Sequence, residues 1–235
     1  MNKAEVLHDL EPETTALLVI DMQNDFAHAK GYFGRIGETM ADVIGCDPRR
    51  IQDSVPAVLR LLRVAREAGV FVVHTQEIRD PDTFNSVRRL HRILPRTYEV
   101  FTEPDEAIPP PLRPGSWGAE ILEELTPRSG EYSLTKRSFS AFFQTDLLVV
   151  LRRRGIRTVV IAGTLTHVCV LHTAFDAHAW DFDVVVAKDA TSSWAGDLQE
   201  PVMRLVDLII GRAVSVEDIE TSLGVQAKNL GNSSD

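Results

Sequence analysis

The stretch TVVIAGTLTHVCVLHTAFDA spans residues 158–177 and joins two segments of different pattern. Its first part is rich in β-branched residues and ends at a glycine, which is typical of a buried strand. Its last part continues to Trp180 with apolar residues at helical spacing, so we predict a helix over 168–180. A strand followed directly by a helix is the repeating unit of α/β proteins. Near the junction lies Cys169, one of two cysteines in the chain.

Four short segments are continuously apolar, without the alternation of a half-exposed strand. Segments of this kind suit a parallel sheet that is covered on both faces. The four predicted strands are 15–21, 69–75, 157–164 and 183–190. A short extended piece precedes Lys136, and a last short strand, RAVSV, follows the final helical pattern.

Amphipathic helical patterns separate these strands. They cover 55–69, 145–155 and 168–180, and the pattern over 202–219 begins as a helix before the last strand. The alternation of strands and helices predicts an α/β fold with a largely parallel sheet. Right-handed crossovers place the loops that follow the strands at one edge of that sheet, where ligands bind.

The composition limits the classes of function. The chain has 235 residues, of which 44% are hydrophobic and 25% charged, as in an ordinary soluble globular protein. A formal net charge of −9 argues against nucleic acid or an anionic membrane as a partner and leaves a small-molecule substrate open. Two cysteines are too few for a disulfide framework. Because we find neither an apolar leader nor a run of membrane-spanning length, we predict a cytoplasmic protein.

One segment interrupts the alternation of strands and helices. Residues 80–116 contain a long proline-rich connection. Connections of this length in a compact domain usually have a function, so we predict a lid-like cover over the site. We expect an N-terminal extension at 1–13, a single domain at 14–225 and a loose tail at 226–235.

Three polar residues lie at or near the ends of predicted strands: Asp21, Lys136 and Cys169. Because the carboxyl ends of parallel strands share one edge, these side chains can converge there. A thiol, a proton acceptor and a cation form the set that a cysteine nucleophile needs. At a helix N-terminus, Cys169 is expected to have a lowered pKa and a backbone N–H that can bind an oxyanion.

Each of these three residues also has a non-catalytic interpretation. A lone cysteine among Val and Leu is usually an inert small hydrophobic residue, and periodicity by itself favours that interpretation. Asp21 can equally be a turn or N-cap residue, and Lys136 a surface lysine.

Three motifs carry a resemblance that covers about residues 14–220. In order they are VIDMQNDF, LTKRSFSAFFQTDL and AGTLTHVCVLHTAFDA. Together they resemble the isochorismatase-like cysteine hydrolase superfamily, whose fold is a three-layer α/β/α sandwich around a six-stranded, mostly parallel sheet. The resemblance implies a catalytic triad of Asp21, Lys136 and Cys169. It also implies a cis peptide at Thr164–Leu165, with the Leu165 and Cys169 N–H groups as the oxyanion hole.

The residue at position 169 separates branches of this superfamily. The isochorismatases cleave a vinyl ether and generally have Gly where this chain has Cys169, although they share its motif around 134–143 and the His at 167. Nicotinamidases bind a metal through an Asp and two His after the second strand. Here that region reads HTQEIRDPDTF, without paired histidines after His74, so we expect neither a metal nor another cofactor. His74 is expected to be a packed or supporting residue.

The segments GYFGRIGETMADVIG, TFNSVRRLHR and GSWGAEI resemble the biuret and ureidoacrylate hydrolase branch, which acts on small ureides. The side chains expected to bind the substrate are Phe26, Gln76, Trp117, Phe142 and His167, each with a role in the core or the lid as its alternative. His167 departs from the Asp or Asn of that branch. One of several lid arginines (Arg79, Arg88, Arg89, Arg92) can pair with a substrate carboxylate, while Cys46 is expected to be structural.

We therefore expect a cysteine amidohydrolase that releases ammonia or an amine from a small amide or ureide. The alternatives are an isochorismatase-type vinyl ether hydrolase and a non-catalytic member that binds a metabolite or a partner chain. The resemblance further implies a homodimer or a homotetramer.

Overall fold

The computed structural model describes residues 10–80 and 110–224. Most of the predicted extension and lid, and all of the predicted tail, lie outside these ranges, as do Arg88, Arg89 and Arg92. The domain boundaries therefore stay a prediction.

Six strands form one sheet in which every neighbouring pair is parallel, in the order β3-β2-β1-β4-β5-β6. The strands are β1 Thr15–Ile20, β2 Phe71–Glu77, β3 Tyr132–Lys136, β4 Thr158–Thr164, β5 Asp183–Ser192 and β6 Arg212–Val214. Helices lie on both sides of the sheet, which confirms the predicted α/β/α fold.

The helices connect the strands along the described chain. The α-helices are Asn24–Ala27, Tyr32–Arg35, Gly37–Ile44, Arg49–Ala68, Leu147–Arg153, Leu171–Ala179, Gln199–Leu205 and Val216–Ser222. Two π-helical turns, Thr166–Val170 and Val206–Ile210, each adjoin an α-helix. The remaining elements are short 3₁₀ turns at Pro12–Thr14, Trp117–Ala119, Glu123–Leu125 and Gly196–Leu198. None of the helices in the described ranges is long and apolar enough to cross a membrane.

The sheet separates two hydrophobic layers because successive strand residues point to opposite faces. Leu18 and Val73 pack in the layer that also contains Cys169. Leu17 and Val72 pack in the other layer, beneath the Arg49–Ala68 helix. This assignment fixes which side of each strand faces the thiol.

Some element boundaries differ from the predictions. The helix predicted over 55–69 begins at Arg49 and continues through Pro56 until Gly69, which adopts a left-handed conformation with φ 76°. The helix predicted over 168–180 has a π-helical first turn, and its α-helical part begins at Leu171. The helix predicted from 202 begins at Gln199, and here the π-helical turn Val206–Ile210 follows the α-helical part and precedes β6.

The strand order reverses between β1 and β4, and ligands of open α/β sheets bind at such a point. The two strands approach closely at Gly163, where a Cβ atom would lie 2.1 Å from the Ile20 carbonyl oxygen. The next residue after β1, Asp21, has φ 47°, a left-handed conformation that Asp tolerates better than most residues. The glycine and this turn together place Asp21 beside the end of β4.

Candidate active site

Asp21 is fully buried at the end of β1 and is held by Thr75 of β2. The Asp21 backbone N–H donates to Thr75 Oγ1 at 3.1 Å, and that hydroxyl donates to Asp21 Oδ1 at 2.6 Å. A single threonine therefore fixes both the backbone and the carboxylate of Asp21.

Lys136 is the last residue of β3, and its side chain is completely buried. Its Nζ atom lies 2.6 Å from Asp21 Oδ2 and 3.5 Å from Cys169 Sγ. It also donates to the Ser138 carbonyl oxygen at 2.9 Å. The ammonium thus contacts both the carboxylate and the thiol.

Cys169 lies in the π-helical turn that follows β4, and it is 2% exposed. Its Sγ atom, an Asp21 carboxylate oxygen and a Glu77 carboxylate oxygen all lie within 4.8 Å of one another. The structure therefore brings the three predicted catalytic residues together and adds a second carboxylate.

Glu77 was not among the predicted site residues, although its Oε2 atom lies 3.8 Å from Cys169 Sγ. It is the last residue of β2 and is 1% exposed. Its Oε1 atom accepts a hydrogen bond from Arg79 Nε at 2.9 Å. The signal that could have identified it is the period of two along β2, because Val73, Thr75 and Glu77 share one face of the strand.

Burial and mutual charge set the protonation of the four groups. Burial, with a smaller contribution from Glu77, raises the pKa of Asp21 despite the nearby ammonium. Burial also opposes ionisation of Glu77, but the charges of Arg79 and Lys136 outweigh it and lower the pKa of Glu77. For Lys136 the surrounding acidic groups outweigh burial and raise its pKa, so the ammonium stays charged.

The thiol differs from the expectation for a helix N-terminus. The pKa of Cys169 is raised well above its ordinary value, because burial and the two carboxylates outweigh the attraction of Lys136. The resting site therefore holds Cys169 as a thiol, and a nearby group must remove its proton before it can attack.

The peptide bond between Thr164 and Leu165 is cis, at the predicted position. The Leu165 carbonyl oxygen accepts hydrogen bonds from the N–H groups of Val168 and Val170, at 3.0 and 3.2 Å. The role of the Leu165 and Cys169 N–H groups as an oxyanion hole stays a prediction.

The predicted substrate-binding residues are dispersed. Gln76 points to the opposite face of β2 from Glu77, and its Nε2 donates to the Ala119 carbonyl oxygen at 2.9 Å. Phe26 is buried and stacks on Phe33 with ring centroids 5.2 Å apart. The side chain of Gln76 is thus tied to the backbone, and that of Phe26 to an aromatic cluster.

The other three candidates lie in different surroundings. Trp117 is 49% exposed and meets His28 edge to face. Phe142 packs in the core with its ring centroid 6.0 Å from that of Phe182. His167 is half-buried, and its Nδ1 lies 2.6 Å from Ser193 Oγ. Their contact with a substrate stays a prediction.

The spacing of Asp21, Glu77 and Cys169 would also suit a metal ion. However, the Lys136 ammonium contacts two of these three residues, Asp21 and Cys169, so these two already have a neighbouring positive charge. His74 lies apart from this cluster, with its Nε2 atom 3.0 Å from Glu131 Oε2. His74 is therefore a packed residue, whereas the absence of a metal stays a prediction.

Comparison with known proteins gives a consistent picture. The isochorismatase domain family matches residues 15–218. The ureidoacrylate amidohydrolase RutB of Methylorubrum extorquens is 31% identical over 220 residues, which cover 91% of this chain and 84% of that protein.

Solved structures share the fold. An isochorismatase family protein from Desulfovibrio vulgaris subsp. vulgaris str. Hildenborough has a TM-score of 0.70 at 31% identity, covering 90% of this chain and 98% of that one. A cysteine hydrolase from Pseudomonas syringae pv. phaseolicola 1448A has a TM-score of 0.72 at 23% identity, covering 92% and 94%.

Proposed function

The chain belongs to the isochorismatase family, and on that premise we propose that it is a cysteine-dependent amidohydrolase of small amides or ureides. The observation that carries the proposal is the convergence of the Cys169 thiol, the Asp21 carboxylate and the Lys136 ammonium in one buried cluster. The ureidoacrylate amidohydrolase activity of a relative at 31% identity supports the same class of reaction on a C–N bond.

In the proposed reaction, Asp21 removes the thiol proton as Sγ attacks the substrate carbonyl carbon. The raised pKa of Asp21 makes it a stronger base than an ordinary carboxylate. The resulting oxyanion is bound by the N–H groups of Leu165 and Cys169. When the C–N bond breaks, Asp21 returns the proton to the leaving nitrogen, and ammonia or an amine departs.

A thioester between Cys169 and the acyl group remains. Water then attacks it with Asp21 again accepting the proton, and the thiol is regenerated as the acid leaves. Lys136 stays charged throughout, because the neighbouring acidic groups raise its pKa. Its part is to balance the charge of the carboxylates and of the sulfur as the proton moves.

The test is ammonia release from biuret, ureidoacrylate, N-carbamoyl amino acids, nicotinamide and simple amides. We expect Cys169→Ala and Asp21→Asn each to lower kcat/KM at least about a thousandfold on any substrate that is turned over, with unchanged circular dichroism. Cys46→Ala is the matched control and should retain full activity, because Cys46 is half-buried and packs against a different hydrophobic cluster from Cys169.

Full turnover by Cys169→Ala would refute the cysteine mechanism. Release of pyruvate from isochorismate, unaffected by thiol alkylation, would instead support the vinyl ether hydrolase. If no substrate is turned over and Cys169 is alkylated no faster than Cys46, a binding role becomes the better proposal.

A further inference from the structure

The proposed reaction leaves one buried ionised group without a task. The Glu77 carboxylate is 1% exposed and lies beside the nucleophile, with Oε2 3.8 Å from Cys169 Sγ. Arg79 pairs with one oxygen of this carboxylate. A buried polar atom needs a partner of its own, so it is the other oxygen, Oε2, that needs an explanation.

Hydrogen bonds hold both the backbone and the carboxylate of Glu77 in place. Its backbone N–H donates to Gln23 Oε1 at 2.8 Å, and Gln23 Nε2 donates to the Glu77 carbonyl oxygen at 3.0 Å. Its Oε1 atom is held by Arg79, whose guanidinium lies 6.0 and 5.9 Å from the ring centroids of Phe26 and Phe33. Because Arg79 holds one oxygen, the other is directed at the thiol.

The second carboxylate oxygen of Glu77, Oε2, lacks a strong hydrogen-bond donor. In the described part of the chain, the hydrogen-bond partner of Glu77 Oε2 is the Cys169 thiol, which is a weak donor at 3.8 Å. When the thiol proton passes to Asp21, Oε2 loses even this partner and faces an electron-rich sulfur. A buried carboxylate oxygen in that state requires a donor from elsewhere, and the substrate is the group that arrives there.

The geometry suits an N–H of the bond to be cleaved. A carbonyl carbon under attack lies about 3–3.5 Å from the nucleophile. The nitrogen attached to it is one bond of about 1.33 Å away, so a hydrogen bond between that nitrogen and an acceptor 3.8 Å from the sulfur is compatible with these distances.

We propose that Glu77 Oε2 accepts a hydrogen bond from the nitrogen attached to the carbonyl carbon that Cys169 attacks. This inference rests on the proposed function and narrows its substrate class. The site takes primary amides and ureides that carry such an N–H, and it rejects esters and fully N-alkylated amides. A site built to accept a hydrogen bond discriminates strongly against an analogue without the donor, because its own acceptor is then left unpaired.

The experiment uses alkylation of Cys169 and requires no turnover. Iodoacetamide carries an N–H₂ group, whereas 2-iodo-N,N-dimethylacetamide does not. With either reagent Sγ attacks the methylene carbon, an S–C bond forms, iodide leaves and Asp21 takes the thiol proton. The amide nitrogen is two bonds from the attacked carbon, one bond farther than in a substrate, and can still lie within hydrogen-bond reach of Oε2. Rates are measured by mass spectrometry of the Cys169 and Cys46 peptides in the intact protein, and Cys46 corrects for the intrinsic reactivity of the two reagents. In the wild type we expect at least a tenfold preference for iodoacetamide at Cys169.

Glu77→Gln should abolish that preference. Arg79 Nε requires an oxygen, so the glutamine carbonyl takes the place of Oε1 and its NH₂ group takes that of Oε2. An acceptor is thereby exchanged for a donor with little change of shape, and the bulk of the reagents is the same in both proteins. Glu220→Gln is the matched control, since Glu220 is also buried and pairs with arginines, and it should keep the wild-type preference.

An equal response to the two reagents in the wild type would overturn the inference, even if Glu77→Gln failed to fold. A preference that persists in a folded Glu77→Gln protein would overturn it as well. The proposed function fails separately, because it depends on Cys169-dependent ammonia release and not on the choice between these reagents.

Discussion

Removing the Lys136 ammonium tests the charge balance of the site. The ammonium lies 2.6 Å from Asp21 Oδ2, both side chains are fully buried, and Glu77 contributes a second carboxylate nearby. Lys136→Met keeps the length of the side chain and leaves the Asp21 carboxylate without its cation. Removing one partner of a buried ion pair costs about 3–5 kcal/mol. For a domain of this size that loss corresponds to a fall in Tm of roughly 6–20 °C.

The loss of stability in Lys136→Met should depend on pH, and it should be larger at high pH. Burial and Glu77 already raise the pKa of Asp21 above its ordinary 3.8, and removal of the ammonium raises it further. The folded variant therefore binds a proton that the unfolded chain gives up, so its stability increases as the pH falls toward the unfolded-state value. The difference in unfolding free energy between variant and wild type should be smaller at about pH 5 than at about pH 8.

Urea denaturation followed by circular dichroism at both pH values measures these differences. Lys188→Met is the control, because Lys188 is exposed and should change stability little. The double variant Lys136→Met/Asp21→Asn should recover part of the loss, since it removes the unpaired charge. A loss below about 1 kcal/mol that is the same at both pH values would refute the role of Lys136 as counter-charge.

Three further predictions concern single contacts. Thr75→Val should lower both stability, by about 1–3 kcal/mol, and kcat, because the lost hydroxyl orients Asp21; normal kinetics would contradict this. Glu131→Gln should destabilise the protein by about 2 kcal/mol at pH 7. Because the pKa of Glu131 is lowered from 4.5 to about 2, the difference in melting temperature between variant and wild type should shrink below pH 4.5 and vanish as the pH falls through about 2. Gly118→Ala should impair folding, since its Cβ would lie 2.2 Å from Asp25 Oδ2, and a soluble variant with wild-type Tm would show that this loop can shift.

The fold and the triad could be predicted from the sequence because both depend on local pattern. Continuous apolar segments identify buried parallel strands, and residues at the carboxyl ends of such strands meet at one edge whatever the connections between them. Asp21, Lys136 and Cys169 follow from that rule together with three motifs, and the structure brings their side chains into contact.

Glu77 and Gln76 show the limit of predicting site residues from the sequence pattern. The sequence pattern places the end of this strand at Thr75, but β2 continues to Glu77, so the pattern leaves out the next side chain on the catalytic face. The amide of Gln76 suits a substrate-binding role, whereas its position in the alternation directs it to the Ala119 carbonyl oxygen. The choice between these neighbours depends on the exact end of a strand, which is the least certain feature of a sequence pattern.

The raised pKa of Cys169 follows from the charges around it. Lys136 and Arg79 supply two positive charges, and Asp21 and Glu77 balance them when both are ionised, which leaves no compensation for a thiolate in a buried site. A thiolate forms at low cost only when Asp21 holds the proton, since the total charge is then unchanged. In the proposed reaction the nucleophile and the general acid therefore arise in the same step. The proton whose loss activates Cys169 is the one that Asp21 delivers to the leaving nitrogen.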